Sequence, residues 1–147
     1  MIVVIVLIAS LVLFRAAGAL GVTALATWAA STRCALAAMF LFTGVAHFTS
    51  ARHGMARMVP RVCGNAMAMV YFTGVCEIAG AVGILIPQTR MLAGIGLILL
   101  LIAMFPANVK AARENLNVAG RPATLLLPRT VIQIVFIGLI WWSTLLG

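Results

Sequence analysis

Residues 71–87, YFTGVCEIAGAVGILIP, form an apolar, glycine-rich run with a single carboxylate, Glu77, in its middle. The 147-residue chain has only two acidic residues, and the other, Glu114, falls in a polar segment. A carboxylate in hydrocarbon costs about 2.5–3.5 kcal/mol on insertion scales. Such a residue faces a bundle interior, a partner or a water-filled cavity rather than lipid. Gly74, Gly80 and Gly83, with Ala79 and Ala81, present little side chain, so a second helix can approach closely. The run reads as the packing centre of a membrane bundle, with Glu77 pointing inward.

Composition agrees. The chain is 65% hydrophobic and 8% charged, with a mean hydropathy of +1.21. A soluble domain is about 45–50% apolar and about 25% charged. There is too little polar surface to cover a water-soluble globule, and the length suits one compact bundle. The net charge of +8 does not point to nucleic acid. The arginines form no basic stripe with interleaved aromatics; they sit in short segments between apolar runs, as they do in membrane proteins. Cys34, Cys63 and Cys76 contain no CxxC pair, and Cys34 and Cys76 read as small apolar side chains.

Taken in order, residues 1–30 are apolar apart from Ser10, Arg15 and a few small polar side chains. Nothing basic precedes Ile2, so the run reads as an uncleaved helix, of which about 20 residues span the hydrocarbon. Arg15 then lies within the membrane. Two readings stay open: its stem carries the charge to an interface, or it faces the bundle and pairs with Glu77. The second span, residues 34–49, is entered through Arg33 and ends near His47. Residues 52–64 mix Arg52, Arg57 and Arg61 with apolar side chains, as an interfacial helix does, and Pro60 ends it. The third span covers residues 65–87. The fourth, residues 91–105, stops at Pro106. Residues 109–128 form the longest polar loop, with a turn at Gly120-Arg121-Pro122. The fifth span runs over residues 130–146, with Trp141 and Trp142 at its far end.

Five spans put Arg52, Arg57, Arg61, Lys110, Arg113, Arg121 and Arg129 on one side, against Arg33 and Arg90 on the other. The positive-inside rule makes the first side cytoplasmic, with the N-terminus there and the C-terminus across the membrane. His47, Asn108 and Gln133 then lie near the cytoplasmic face, and Glu77 and Arg15 lie deeper. Together these five residues outline a polar column, and we expect an intramembrane cavity open to that face. Asn108 has a second reading, as a cap on carbonyls freed by Pro106, and Gln133 has one as interhelical glue. No metal site is expected: His47 and His53 lack ligand spacing, and no HxxxH or ExxH pair occurs.

Several stretches resemble the DoxX family of small bacterial membrane proteins: GVAHF at 44–48, MVP at 58–60, TGVCE at 73–77, GAVGILIPQTRMLAGIGLILLL at 80–101 and FPAN at 105–108. The likeness extends from about residue 33 to 142. It implies an all-α transmembrane bundle with a four-helix core at residues 33–147, to which residues 1–30 add an N-terminal helix. It also implies a multi-pass protein of the bacterial inner membrane, with His47, Glu77 and Asn108 as the shared polar signature.

Two functions are expected from these residues. The first is non-catalytic binding of a small amphipathic molecule, a lipid or a membrane partner, with Glu77 fixing its polar end. The second is a quinone-linked redox accessory subunit, with quinone as the candidate cofactor and His47 and Glu77 moving its protons. An electron-carrying or assembly partner in the membrane would then be required. The small-residue faces also suit a homodimer.

Overall fold

A computed structural model of the chain describes residues 2–118, 121–122 and 125–147. It is an all-α bundle. Its helices are α1 (Ile2–Ala19), α2 (Trp28–Ala46), α3 (Arg52–Met58), α4 (Ala66–Gly83), α5 (Arg90–Arg113) and α6 (Leu126–Trp141). A π-helical turn, Trp142–Leu146, continues α6. Five helices are long and apolar enough to cross a membrane: α1, α2, α4, α5, and α6 with its π-turn.

α2 is the centre of the bundle. It buries Ala35, Leu36, Met39 and Phe40 and packs against α1 on one side and α4 on the other. α4 packs on α5 and α5 on α6, and the π-turn comes back to touch both α2 and α5. α1 lies outside this arrangement, mainly against α2, and Leu7 is its one buried residue. The buried residues of α4 are Val70, Gly74, Glu77 and Ala81. They recur at i, i+4, i+7 and i+11, the spacing of one helix face, so Glu77 points inward as expected.

Local chemistry sets the helix starts. Thr27 Oγ1 accepts from Ala30 N at 3.1 Å, and Asn65 Oδ1 accepts from Ala68 N at 3.1 Å. Each satisfies one of the amides a first turn leaves free. α3 ends at Met58 before Pro60, as the sequence predicts.

Four boundaries differ from the sequence reading. The apolar run 1–30 is not one helix: α1 ends at Ala19, the chain turns through Gly21 at φ 107°, and α2 begins at Trp28. Only glycine adopts that φ without strain. Arg33 therefore lies inside α2 rather than in a loop before it. Pro106 does not end the fourth span, because α5 runs on to Arg113 with Pro106 inside it. In hydrocarbon a broken helix would expose several backbone groups, whereas a continuous one loses only the proline's missing donor. The polar loop is correspondingly shorter, with Lys110 and Arg113 on α5 and Pro128 and Arg129 in the first turn of α6. Of the turn expected at Gly120-Arg121-Pro122, Gly120 lies outside the described residues. Arg121–Pro122 pairs antiparallel with Asn117–Val118.

Candidate functional site

The five expected site residues separate into three places. Glu77 and His47 come together on the α2–α4 seam, and Glu77 keeps only 4% of its surface exposed. The seam is built by glycines. A Cβ on Gly74 would stand 2.6 Å from His47 Cβ, so the missing side chain is what admits the imidazole. A Cβ on Gly44 would meet Ile78 Cγ1 at 2.7 Å and Gly74 O at 3.2 Å, which places the two backbones in close approach. Phe48 and Tyr71 stack at 5.6 Å beyond His47.

Within the seam, His47 Nδ1 lies 2.8 Å from Thr43 O. A carbonyl only accepts, so Nδ1 carries the proton, and in the neutral ring Nε2 is the acceptor. The Thr43 hydroxyl and the His47 ring are the groups acting on the Glu77 carboxyl. Thr43 Oγ1 also lies 3.2 Å from both Met39 O and Phe40 O, so its single proton has competing acceptors. Glu77 Oε2 is buried and has no hydrogen-bond partner among the described residues. Thr43 was missed in the sequence reading, although it lies four residues before His47, on the same helix face.

Asn108 and Gln133 form a second group, between α5 and α6. Asn108 Nδ2 donates to Gln133 Oε1 at 3.3 Å, and Arg129 Nη1 donates to Asn108 Oδ1 at 2.9 Å. Gln133 Nε2 donates to Leu101 O at 2.9 Å. Asn108 is therefore no cap on freed carbonyls, since the helix continues past it. Gln133 is glue between two helices.

Arg15 is at the other end of the bundle. Its Nη1 donates to Leu25 O and Ala26 O at 3.2 and 3.1 Å, and its guanidinium lies over the Trp28 ring, 4.7 Å from the centroid. Trp28 opens α2, and Thr43 beside Glu77 is about 22 Å further along that helix at about 1.5 Å per residue. The pairing of Arg15 with Glu77 is thus excluded, and the expected polar column does not run through the bundle. The side chain instead reaches the carbonyls of the α1–α2 turn, where the chain has left helical hydrogen bonding.

The described cavities also differ from expectation. Two adjoining concavities, of 660 and 420 Å³, lie where the α3–α4 linker meets the end of α5, and Glu77 and His47 line neither. The larger is bounded by Pro60, Arg61, Pro106, Val109, Lys110, Arg113 and Glu114. Lys110 Nζ donates to Val59 O at 2.9 Å, pinning the linker to α5 and shaping the groove. Three cations against one carboxylate make it electropositive, while the prolines and Val109 supply an apolar wall. The described residues contain no group of three or more His, Cys, Asp or Glu side chains placed to hold a metal ion, and the three cysteines are unbridged.

A family model described as a domain of unknown function, DUF8561, matches residues 36–144. The match starts in α2 and ends in the π-turn, leaving α1 outside it. No curated protein and no solved structure matches the chain.

Proposed function

We propose that the chain, which belongs to the DUF8561 family, is a non-catalytic binding protein of the membrane. In this reading it holds an anionic amphipathic molecule, in the simplest case a lipid, by its headgroup. The observation that carries it is the 660 Å³ groove lined by Arg61, Lys110 and Arg113 beside Pro60, Pro106 and Val109. Its volume is in the range of small-molecule sites, about 300–1,000 Å³. Its lining is cationic on one side and apolar on the other, which matches a phosphate or carboxylate carried on an acyl chain. The ligand's polar end thus moves from Glu77 to the groove.

The same proposal places the groove at the cytoplasmic surface of a bacterial inner membrane. The N-terminus is then cytoplasmic and the C-terminus on the far side. The support is the concentration of basic residues at the groove end. The DoxX likeness belongs to this proposal too, and the DUF8561 match covers nearly the same stretch.

A second reading, the quinone-linked accessory subunit, has its own support in the Glu77–His47 pair. An acceptor oxygen without a partner lies beside an imidazole whose Nε2 is left for a second contact. Such a pair can pass a proton to or from a quinone headgroup, with the electrons supplied by a partner protein.

The test is native mass spectrometry of the purified chain titrated with phosphatidylglycerol and with phosphatidylcholine. Wild type is expected to prefer the anionic lipid. The Arg61→Gln/Arg113→Gln double variant, which changes two exposed side chains, is expected to lose about tenfold or more of that preference. Equal binding of the two lipids by wild type, or an unchanged preference in the variant, removes the groove as the site.

A further inference from the structure

The 660 Å³ groove has a neighbour. The adjoining 420 Å³ concavity shares Pro60, Arg61, Lys110 and Glu114 with it. Each concavity also has a cation of its own. Arg57, on α3, lines only the smaller, and Arg113, the last residue of α5, lines only the larger. Each has its own apolar wall as well: Pro106 and Val109 in the larger, Ala66 and Leu116 in the smaller. Lys110 Nζ donates to Val59 O at 2.9 Å, so its side chain crosses from α5 to the α3–α4 linker, and both concavities open against it.

There is room in both. Each volume falls in the range of about 300–1,000 Å³ that small-molecule sites occupy. Arg57, Arg61, Arg113 and Glu114 are exposed, so the lining of the pair reaches the surface. The charge is not balanced from within. Arg57, Arg61, Lys110 and Arg113 face a single carboxylate, Glu114, and the sequence's other acid, Glu77, lines neither concavity. A ligand with one phosphate answers the cations of one concavity and leaves those of the other beside one another. A second phosphate on the same ligand answers both.

Building on the groove as a lipid site, we propose that the two concavities together hold a lipid with two phosphates joined by a glycerol, of the diphosphatidylglycerol type. One phosphate lies between Arg113 and Arg61, and the other between Arg57 and Arg61. A guanidinium offers five donors in a fork, so Arg61 can serve both while Lys110 adds a point charge between them. Glu114, common to both concavities, accepts from the hydroxyl of the joining glycerol. The two apolar walls receive the first carbons of the acyl chains on either side. Val62, exposed beside Arg61, gives the linker an apolar contact with the same bilayer. Basic pockets among transmembrane helices at the cytoplasmic side suit headgroups of this kind.

Native mass spectrometry of the purified full chain, titrated with phosphatidylcholine, phosphatidylglycerol and diphosphatidylglycerol of matched acyl chains, tests the site. Wild type is expected to bind diphosphatidylglycerol about tenfold or more tightly than phosphatidylglycerol. Two unconnected phosphates would give about twofold by number alone, whereas a linked pair makes the second contact intramolecular. Arg57→Gln changes an exposed side chain of the smaller concavity. It is expected to lose most of the preference for the two-phosphate lipid and to keep that of phosphatidylglycerol over phosphatidylcholine. Arg52→Gln removes the same charge from the same helix, outside both concavities, and is expected to keep both preferences. If wild type prefers phosphatidylglycerol to phosphatidylcholine but binds diphosphatidylglycerol no more than about twofold better, the two-phosphate site is overturned and the groove stands. A wild-type preference in Arg57→Gln, or equal losses in Arg52→Gln and Arg57→Gln, overturns it too. No preference for phosphatidylglycerol over phosphatidylcholine in wild type removes the groove and this site with it. The lipid comparison on wild type needs no variant, so it decides even if Arg57→Gln does not fold.

Discussion

The α2–α4 and α5–α6 seams both carry polar side chains through apolar helices, and they treat them in opposite ways. On the α5–α6 seam each amide uses both its donor and its acceptor. Asn108 gives to Gln133 and receives from Arg129, while Gln133 gives to a backbone carbonyl of α5. On the α2–α4 seam the helices are drawn together by Gly44 and Gly74, and the carboxylate between them keeps one oxygen without a partner. The nearby donors are shared or engaged: His47 Nδ1 is bound to Thr43 O, and the single proton of the Thr43 hydroxyl is divided between the Glu77 carboxyl and carbonyls of its own helix. An amide closes a circuit of hydrogen bonds because it both gives and accepts, and both amides of the α5–α6 seam do so, whereas one Glu77 oxygen meets no partner among the described residues. The first seam is stabilised by its polar groups, and the second is stabilised by its backbone contact in spite of one.

The largest effect should come from the glycines. Gly74→Ala and Gly44→Ala each push a Cβ into the facing helix, and we expect a loss of about 1–3 kcal/mol in unfolding by a denaturing detergent in mixed micelles. Gly96→Ala and Gly138→Ala, where a Cβ meets nothing within 4 Å, should stay within about 0.5 kcal/mol of wild type. A uniform response across the four would mean that close approach does not hold the α2–α4 seam.

The next comparison makes the same replacement in both seams. Gln133→Met leaves the Asn108 Nδ2 donor without its acceptor, removes the side-chain donor from the Leu101 carbonyl, and should lower stability by about 0.6–1.7 kcal/mol. Glu77→Met removes a buried carboxyl that the seam only partly satisfies and should raise stability by about 1 kcal/mol. The sign is the prediction: two losses of similar size in the same unfolding assay would show that Glu77 is as well satisfied as Gln133. The smallest effect is expected at Arg15, away from both seams. Arg15→Met loses the Trp28 stacking and two carbonyl contacts, for about 0.5–1 kcal/mol. Glu77→Gln and Arg15→Met should be additive, because the two sites lie far apart. A measurable coupling between them would restore the pairing that the structure excludes.

Much of the fold was legible in the sequence because hydrocarbon imposes a simple rule on it. Long apolar runs become helices, and the count of five spans follows from hydropathy alone. The inward direction of Glu77 was legible as well, from the cost of a carboxylate in hydrocarbon, although Ala79, expected on the packing side with the glycines, is exposed. Apolar runs conceal breaks, however. The turn between α1 and α2 lies inside the run 1–30, and its signals are local ones: Gly21, the Thr27 cap, and a tryptophan at the start of α2. Pro106 misled in the other direction, because membrane helices tolerate a proline that would more often end a helix in water.

The candidate site was less legible, for a different reason. Depth along a helix can be estimated from the sequence, but the direction of a side chain around it cannot. His47, Asn108, Gln133 and Glu77 fall at compatible depths and still divide between two seams. Arg15 was placed too deep because the end of α1 was hidden. The groove depends on contacts such as Lys110 with Val59, 51 residues apart, and no periodicity within one helix records them.

In the proposed function the groove between α5 and the α3–α4 linker, rather than Glu77, holds the ligand. The most direct measurement is mass spectrometry of the lipids and other small molecules that co-purify from native membranes with wild type, Arg61→Gln/Arg113→Gln and Glu77→Gln. One enriched anionic amphiphile is expected in wild type and in Glu77→Gln, and its loss from the groove variant. A quinone or other neutral molecule kept by the groove variant and lost from Glu77→Gln would contradict it and return the site to the α2–α4 seam.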